Sequence, residues 1–397
     1  MKLKKILCGV FAGVMLTAVL GGCASGDKTE ENAAPANQEQ AAQEPGSQDQ
    51  PAEPSASGDD IIKVGLITWS TTDSLNMSVQ RGFDMYGKEL GFEVYTEVYK
   101  TMDNMVDAAQ NLIQKGCKLI VNILPSTALM DLCAENEVYL VCWGNTVEDP
   151  ELKAYLEACP YWVGTDSVSD WNAATDAMQA LYDNGARNVG LITQATLSTN
   201  HTIRVNAIKD FVDKHSDMKL VSEIGVTDSS EVSNGVSNML AVYGDLDSII
   251  STTTNAGWAE AVIATLEAEG MAGTIHYAGI DWVDSCGEWL NNGYMDCILA
   301  GQYPDLMFDV INGCNVIRGA YEGNRVLEGR FLAVTGKTGY ENYVKYIDAE
   351  GVYPYSLEQL QSVSYYNNPD VTYEDLHNLW AGYSMESVVS YWEGQNS

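Results

Sequence analysis

Ile61-Ile62-Lys63-Val64-Gly65-Leu66-Ile67 is a β-rich run, and the alternation it begins decides the fold. Residues 78–90 carry Val79, Phe83, Tyr86 and Leu90 at helical spacing and stop at Gly91, a residue suited to the left-handed end of a helix. A strand-like stretch at 92–95 comes next, then a helical one at 102–115 closed by Gly116. Residues 118–124 form a strand stopped by Pro125, 129–135 a helix and 138–142 another strand. Strands alternating with helices of about ten to fifteen residues build βαβ units on a parallel sheet.

The rhythm then restarts. Strands are expected at 161–164, 188–192, 219–226, 248–251 and 275–280, with helices at 171–184, 204–214, 232–243 and 258–269 between them. The fold class is therefore α/β, with two doubly wound parallel-sheet lobes joined by a hinge. The first lobe is expected over residues 61–164 plus 303–330, and the second over 165–302 plus 331–397. The last part of the second carries a tyrosine-rich extension with Tyr340, Tyr343, Tyr346, Tyr353, Tyr355, Tyr365, Tyr366 and Tyr373. Its tyrosines are expected to pack the extension onto a lobe, with Thr372 as a helix N-cap ahead of Glu374 and Asp375. Ligands of doubly wound sheets bind beyond the carboxyl ends of the strands. Two such edges facing each other make a cleft that closes by hinge motion.

Before the first strand the chain is of another kind. Lys2, Lys4 and Lys5 precede an apolar stretch at 6–20, followed by Leu20-Gly21-Gly22-Cys23. This is the pattern of a secretory signal, expected over residues 1–22, and its apolar core is too short for a comfortable membrane span. Leu-Gly-Gly-Cys resembles the bacterial lipobox, which implies a lipid on Cys23. Residues 24–60 are mostly Ala, Gln, Glu, Pro, Ser and Gly with hardly a larger aliphatic side chain. They bury too little apolar surface to offset ordering entropy, so 23–60 reads as a flexible tether.

The formal charge is −34, and loss of the three signal lysines makes it −37. Phosphate backbones need a basic surface, so nucleic acid is excluded as a partner. An anionic membrane surface is likewise disfavoured. Of nine cysteines, Cys8 lies in the signal and Cys23 at the cut, which leaves seven. An odd number without a Cys-x-x-Cys pair indicates neither a disulfide framework nor a zinc site.

Taken together, the folded part resembles the type I periplasmic binding proteins, in particular the ribose-binding-like sugar receptors of ABC importers. The resemblance runs from Ile61 to Asn324. It is carried by the strand at 62–67 leading to Gly82 and Gly91, and by the helix–Gly–strand–Pro step at 111–125. Tyr161-Trp162-Val163-Gly164-Thr165-Asp166 is similar to the first lobe crossing, and Gly185-Ala186-Arg187-Asn188-Val189-Gly190 to the family's Gly-x-x-x-Ile-x step. Gly279-Ile280-Asp281 is similar to Gly-Phe-Asp. Gly293-Tyr294-Met295 with Gln302-Tyr303-Pro304 matches the second crossing, and 319–323 the end of the last first-lobe helix.

The resemblance implies a set of ligand-facing positions. The loop after the first strand supplies Trp69, Ser70, Asp73 and Asn76, with Trp69 offering an aromatic face to the apolar side of a sugar ring. After the fourth strand come Trp143 and Asn145; the acid–arginine pair of ribose-type receptors is missing at 144 and 145, which argues against ribose itself. In the second lobe the family's ligand arginine falls on Thr202. A second family arginine falls on Arg204, with His201 beside them, as ligand contacts or as structural support. Asn255, Asp281 and the hinge Gln302 complete the set. Such side chains suit paired hydroxyls, because amides donate and accept in a plane and an ionised aspartate makes charge-assisted bonds. Four histidines without ligand spacing give no metal site, and no cofactor is expected.

The resemblance implies a monomeric extracellular lipoprotein that captures a sugar or similar small polar solute and hands it to the membrane subunits of an ABC importer. The alternative is a receptor for a nucleoside, an autoinducer-type furanose or a polyol, used in uptake or chemosensing. An enzyme is not expected, since no Gly-x-Ser-x-Gly, His-Glu-x-x-His or P-loop occurs. A transcription repressor of related fold would begin with a helix-turn-helix and a basic face, and this chain has neither.

Overall fold

The computed structural model describes residues 61–395 apart from 73, 102, 103, 145, 148 and 350. The signal, the tether and Cys23 lie outside the described residues. In chain order the first lobe begins with β1 (Ile62–Thr68), α1 (Ser74–Tyr86), β2 (Phe92–Val98), α2 (Asn104–Gln114) and β3 (Leu119–Asn122). It continues with α3 (Thr127–Glu135), β4 (Tyr139–Cys142), α4 (Pro150–Glu157) and β5 (Trp162–Val168). The second lobe comes next, with α5 (Asp170–Asp183), β6 (Asn188–Gln194), α6 (Thr199–Lys214), β7 (Lys219–Val226) and α7 (Ser229–Val242). Then come β8 (Ser248–Ser251), α8 (Trp258–Ala268), β9 (His276–Ile280), α9 (Cys286–Asn292) and β10 (Cys297–Ala300).

From there α10 (Asp305–Ile317) and β11 (Arg325–Gly329) return to the first sheet, and β12 (Leu332–Thr335) joins the second. The extension holds α11 (Gly336–Tyr343), a π-helical turn (Val344–Asp348), α12 (Leu357–Ser362), α13 (Tyr373–Ala381) and α14 (Met385–Gln395).

The sheets are ordered β2-β1-β3-β4-β5-β11 and β7-β6-β8-β9-β10-β12. All ladders are parallel except β10–β12. The same doubly wound order occurs twice, so each lobe has a switch point, between β1 and β3 and between β6 and β8. Ligands bind at the carboxyl side of such points. Strands β3, β8 and β10 are buried throughout and β4 is nearly so, as sheets covered on both faces require. The expected two-lobed α/β architecture is thus what the chain adopts.

Local chemistry explains several boundaries. The first helix begins at Ser74 and ends at Tyr86, four residues earlier at each end than its periodicity suggests; past its last turn the Leu90 and Phe92 N–H groups turn back to the Gly87 carbonyl. Helix α4 escaped the periodicity, yet its start was readable: Asp149 caps it through the Glu151 and Leu152 N–H groups and Pro150 takes the first turn. Strand β5 runs on in the first sheet to Val168, pairing with β11, so the chain leaves the first lobe at Ser169 rather than at 165. Gly164 sits there at φ +135°, where a Cβ would stand 1.8 Å from the Arg325 carbonyl oxygen.

The extension does not keep to the second lobe. Helix α11 packs on α9 and β12, and α14 on α11 and β12, but α13 packs on β11 and α10 of the first lobe. The Tyr373 hydroxyl donates to the Val326 carbonyl at 2.5 Å, and Trp380 Nε1 to buried Asp166 at 3.1 Å. Between them Asn315 Nδ2 donates to the Val363 carbonyl and Arg318 lies over the Tyr366 ring. As expected, Thr372 caps α13 with Asp375 in a capping box. Cys117, Cys133, Cys142, Cys159, Cys286, Cys297 and Cys314 are all free thiols.

Candidate functional site

The site is built where strands end. Beyond β1 the chain presents Trp69, Leu75 and Ser78; beyond β8 it presents Asn255, and beyond β9 Asp281, Trp282 and Asp284. The return crossing adds Gly301, Gln302 and Tyr303, and the extension adds Tyr343 and Asp348. Together these residues line one cavity of about 410 Å³ between the lobes. A second hollow of about 530 Å³ continues along the second lobe, lined by Gln194, His201, Thr253, Trp258 and again Asn255 and Asp281. The two shared residues join the spaces into one cleft.

Asp281 is held against its backbone preference. Its φ of +81° is unusual for a residue with a Cβ. The conformation is fixed from three sides. Its N–H donates to the Leu299 carbonyl at 2.9 Å, the Thr254 hydroxyl donates to its carbonyl, and the Thr253 hydroxyl donates to its carboxylate at 2.9 Å. Arg204 Nη1 approaches the same carboxylate oxygen at 3.4 Å. Burial works against the Arg204 charge, but the Asp281 and Asp170 carboxylates outweigh it and raise its pKa above the ordinary value. The arginine is 5% exposed, its Nε donates to Asp170 at 2.6 Å and its Nη1 to the Thr252 carbonyl at 2.7 Å. Arg204 is therefore a strut beneath the cleft.

The other expected positions divide. Trp69, Asn255, Asp281 and Gln302 meet in the 410 Å³ cavity, and His201 faces the adjoining hollow. Burial, aided by Arg204, pushes the His201 pKa down to about 4, so the ring is neutral at physiological pH; its Nδ1 is 2.7 Å from the Thr252 hydroxyl. Trp143 does not line the cavity; it is buried and stacks on Trp69 with ring centroids 5.4 Å apart and planes at 21°. Asn76, on α1, is buried and accepts from the Thr68 hydroxyl at the end of β1 at 2.7 Å. Thr202 lines neither space, since its hydroxyl folds back to the Ser198 carbonyl at 3.0 Å. Ser70 lines neither space and accepts from the Thr72 N–H within its own loop. Asp73 and Asn145 lie outside the described residues.

Sequence reading passed over Asp284, Tyr303, Tyr343 and Asp348. Tyr303 directly follows Gln302, so the matched crossing already pointed to it. Nothing in the local pattern connects Tyr343 and Asp348 with the cleft.

Comparison with known proteins places the fold. The model of the periplasmic binding protein domain family matches residues 64–312, and the chain belongs to that family. Its fold is that of the type I periplasmic binding proteins. An ABC transporter periplasmic solute binding protein from Actinobacillus succinogenes 130z, solved with bound D-allose, superposes with a TM-score of 0.59 at 15% identity, over 71% of this chain and 100% of the other. A sugar-binding protein of a sugar ABC transporter from Bacillus halodurans superposes at 0.59 and 16% identity, over 71% and 99%. A solute binding protein from Bacillus halodurans C-125 with bound myo-inositol superposes at 0.54 and 14%, over 72% and 99%. No curated protein matches the chain. Among the described residues no helix is long and apolar enough to cross a membrane, and no group of three or more His, Cys, Asp or Glu could hold a metal ion.

Proposed function

We propose that this protein is the solute-binding component of an ABC importer, capturing a sugar or a similar small polar solute between its lobes. One observation carries the reading: Trp69 of the first lobe, Asn255 and Asp281 of the second and Gln302 of the crossing line a single interlobe cavity. An aromatic face and planar polar groups are what a sugar's apolar ring face and hydroxyls need. The family and the sugar-bound neighbours support the same reading.

Contacts from both lobes favour the closed arrangement, because a ligand shifts a population only through differential affinity for the two states. The closed form is what the importer's membrane subunits would receive. The signal pattern and Leu20-Gly21-Gly22-Cys23 put the protein outside the cell, held to the membrane by lipid on Cys23 and the tether of residues 24–60. A single acyl chain anchors only marginally, so stable attachment needs more than one.

A thermal-shift screen of monosaccharides, polyols and nucleosides tests this, since a ligand bound only by the folded state raises the melting temperature. The reading expects a concentration-dependent rise with at least one sugar. A rise confined to nucleosides, or none with any solute, contradicts it.

A further inference from the structure

One part of the cavity wall comes from beyond residue 312, where the family match ends. The Tyr343 ring stacks on Trp282 with centroids 4.5 Å apart and planes at 18°. Asp348 closes the π-helical turn after Tyr343. The turn is fixed to the first lobe by Arg81, which donates to the carbonyls of Ile347 and Asp348 at 3.3 and 3.1 Å, and by the Tyr303 hydroxyl, which donates to the Ile347 carbonyl at 2.5 Å. The extension is thereby a fixed component of the cavity.

The charge of this wall is unbalanced. Asp281, Asp284 and Asp348 line the cavity, and among the described residues no lysine or arginine does. Behind the lining, Arg204 faces both Asp170 and Asp281, and Arg81 stands 3.9 Å from Asp348 with most of its donors committed to carbonyls. Four carboxylates against two guanidinium groups leave two negative charges. His201, neutral at physiological pH, adds nothing positive. Asp284 has no hydrogen-bond or ion-pair partner among the described residues. Burial, opposed by Arg81 and helped by the Asp284 charge, raises the Asp348 pKa above the usual carboxylate value.

A neutral sugar satisfies the hydrogen-bonding capacity of such oxygens but leaves their charge unanswered. An ammonium within about 4–6 Å answers both, through charge-assisted bonds and direct Coulomb attraction. Trp282, only partly buried, lines the same space, and an aromatic ring attracts an ammonium placed over its face. We infer that the wall formed by Asp284, Asp348, Trp282 and Tyr343 is a subsite for a protonated amine, so that the solute is an amino sugar or a comparable polyhydroxylated amine. This rests on the sugar-receptor reading and narrows its substrate class.

Calorimetry on the full chain at neutral pH tests it with D-glucosamine, D-galactosamine and D-mannosamine, each against its parent hexose and its N-acetyl derivative. The expected result is at least tenfold tighter binding of one amine than of its two neutral counterparts. That preference should fall at least tenfold in Asp348→Asn, and also in Asp284→Asn, which breaks no native contact and so keeps the test open should the first variant fold poorly. Neutral hexose bound as tightly as its amine overturns the subsite while leaving a sugar receptor standing, as does a preference that survives both substitutions. Binding of none of these compounds overturns the subsite as well, and the thermal-shift screen of solutes then decides the wider reading.

Discussion

Arg204 Nε donates to the Asp170 carboxylate at 2.6 Å, tying α6 to the first turn of α5, where the chain has just crossed from one lobe to the other. Both side chains are nearly buried, at 6% and 11% exposure. The same guanidinium reaches Asp281, so the start of α5, the end of β8 and the cleft carboxylate share one cation. A buried ion pair loses most when one partner alone is removed, because the other is left uncompensated. Arg204→Met should therefore cost about 3–5 kcal/mol of folding free energy, read from denaturant unfolding. A loss under about 1 kcal/mol would show that the strut carries little load.

Asp281 faces the cleft and is already positioned before any ligand arrives. Asp281→Ala should weaken the tightest sugar complex found by calorimetry by about 1–3 kcal/mol, the range for loss of a charged hydrogen bond. Unchanged affinity would remove Asp281 from the ligand contacts.

The stacked tryptophans should behave differently from each other. Trp69 is 38% exposed and Trp143 3%. Trp69→Ala should change stability by no more than about 1.5 kcal/mol, the scale of an aromatic pair, yet lower sugar affinity at least tenfold. Trp143→Ala should cost about 3–5 kcal/mol of stability, as for truncating a buried large aromatic side chain. Parallel melts and titrations of the two variants decide this, and equal effects on stability would contradict it.

Behind the crossings, Asp166 on β5 and Asp305 and Asp309 on α10 are buried together. Burial raises all three; the like charges add to the shifts of Asp166 and Asp309, while Asp305 is pushed from its ordinary 3.8 up to about 7. Each raised pKa means that the folded state holds protons the unfolded chain releases. The stabilisation is thus complete below about pH 4 and is lost as pH rises toward about 7, the window set by Asp305. Asp309→Asn removes one of the like charges. It should make the protein more stable than the parent above neutral pH by about 1–3 kcal/mol, with the gap closing below about pH 4. A gap that is absent, or that widens on acidification, would contradict the assignment.

The repeated strand order was legible because buried parallel strands and capped helices write themselves locally, in apolar runs ended by Gly, Pro or a polar cap. Lys219–Val226 and Ser248–Ser251 fall where the pattern placed them. Trp69, Asn255, Asp281 and Gln302 were readable as candidates because each stands within four residues of a strand end, and they line one cavity. The sequence did not show which polar groups a neighbour claims: the Thr68 hydroxyl donates to Asn76, the Thr202 hydroxyl to the Ser198 carbonyl, and Arg204 pairs with Asp170, in line with its reading as structural support. It was silent at Tyr343 and Asp348, whose place in the wall depends on Arg81, more than 260 residues away in the chain.

The most direct test is a crystal structure of the full chain grown with the tightest-binding monosaccharide or amino sugar. The account expects the sugar ring against Trp69, with hydroxyls within hydrogen-bond distance of Asn255 and Asp281. A ligand seated on an outer face, with the space between Trp69 and Asp281 holding only water, would contradict it.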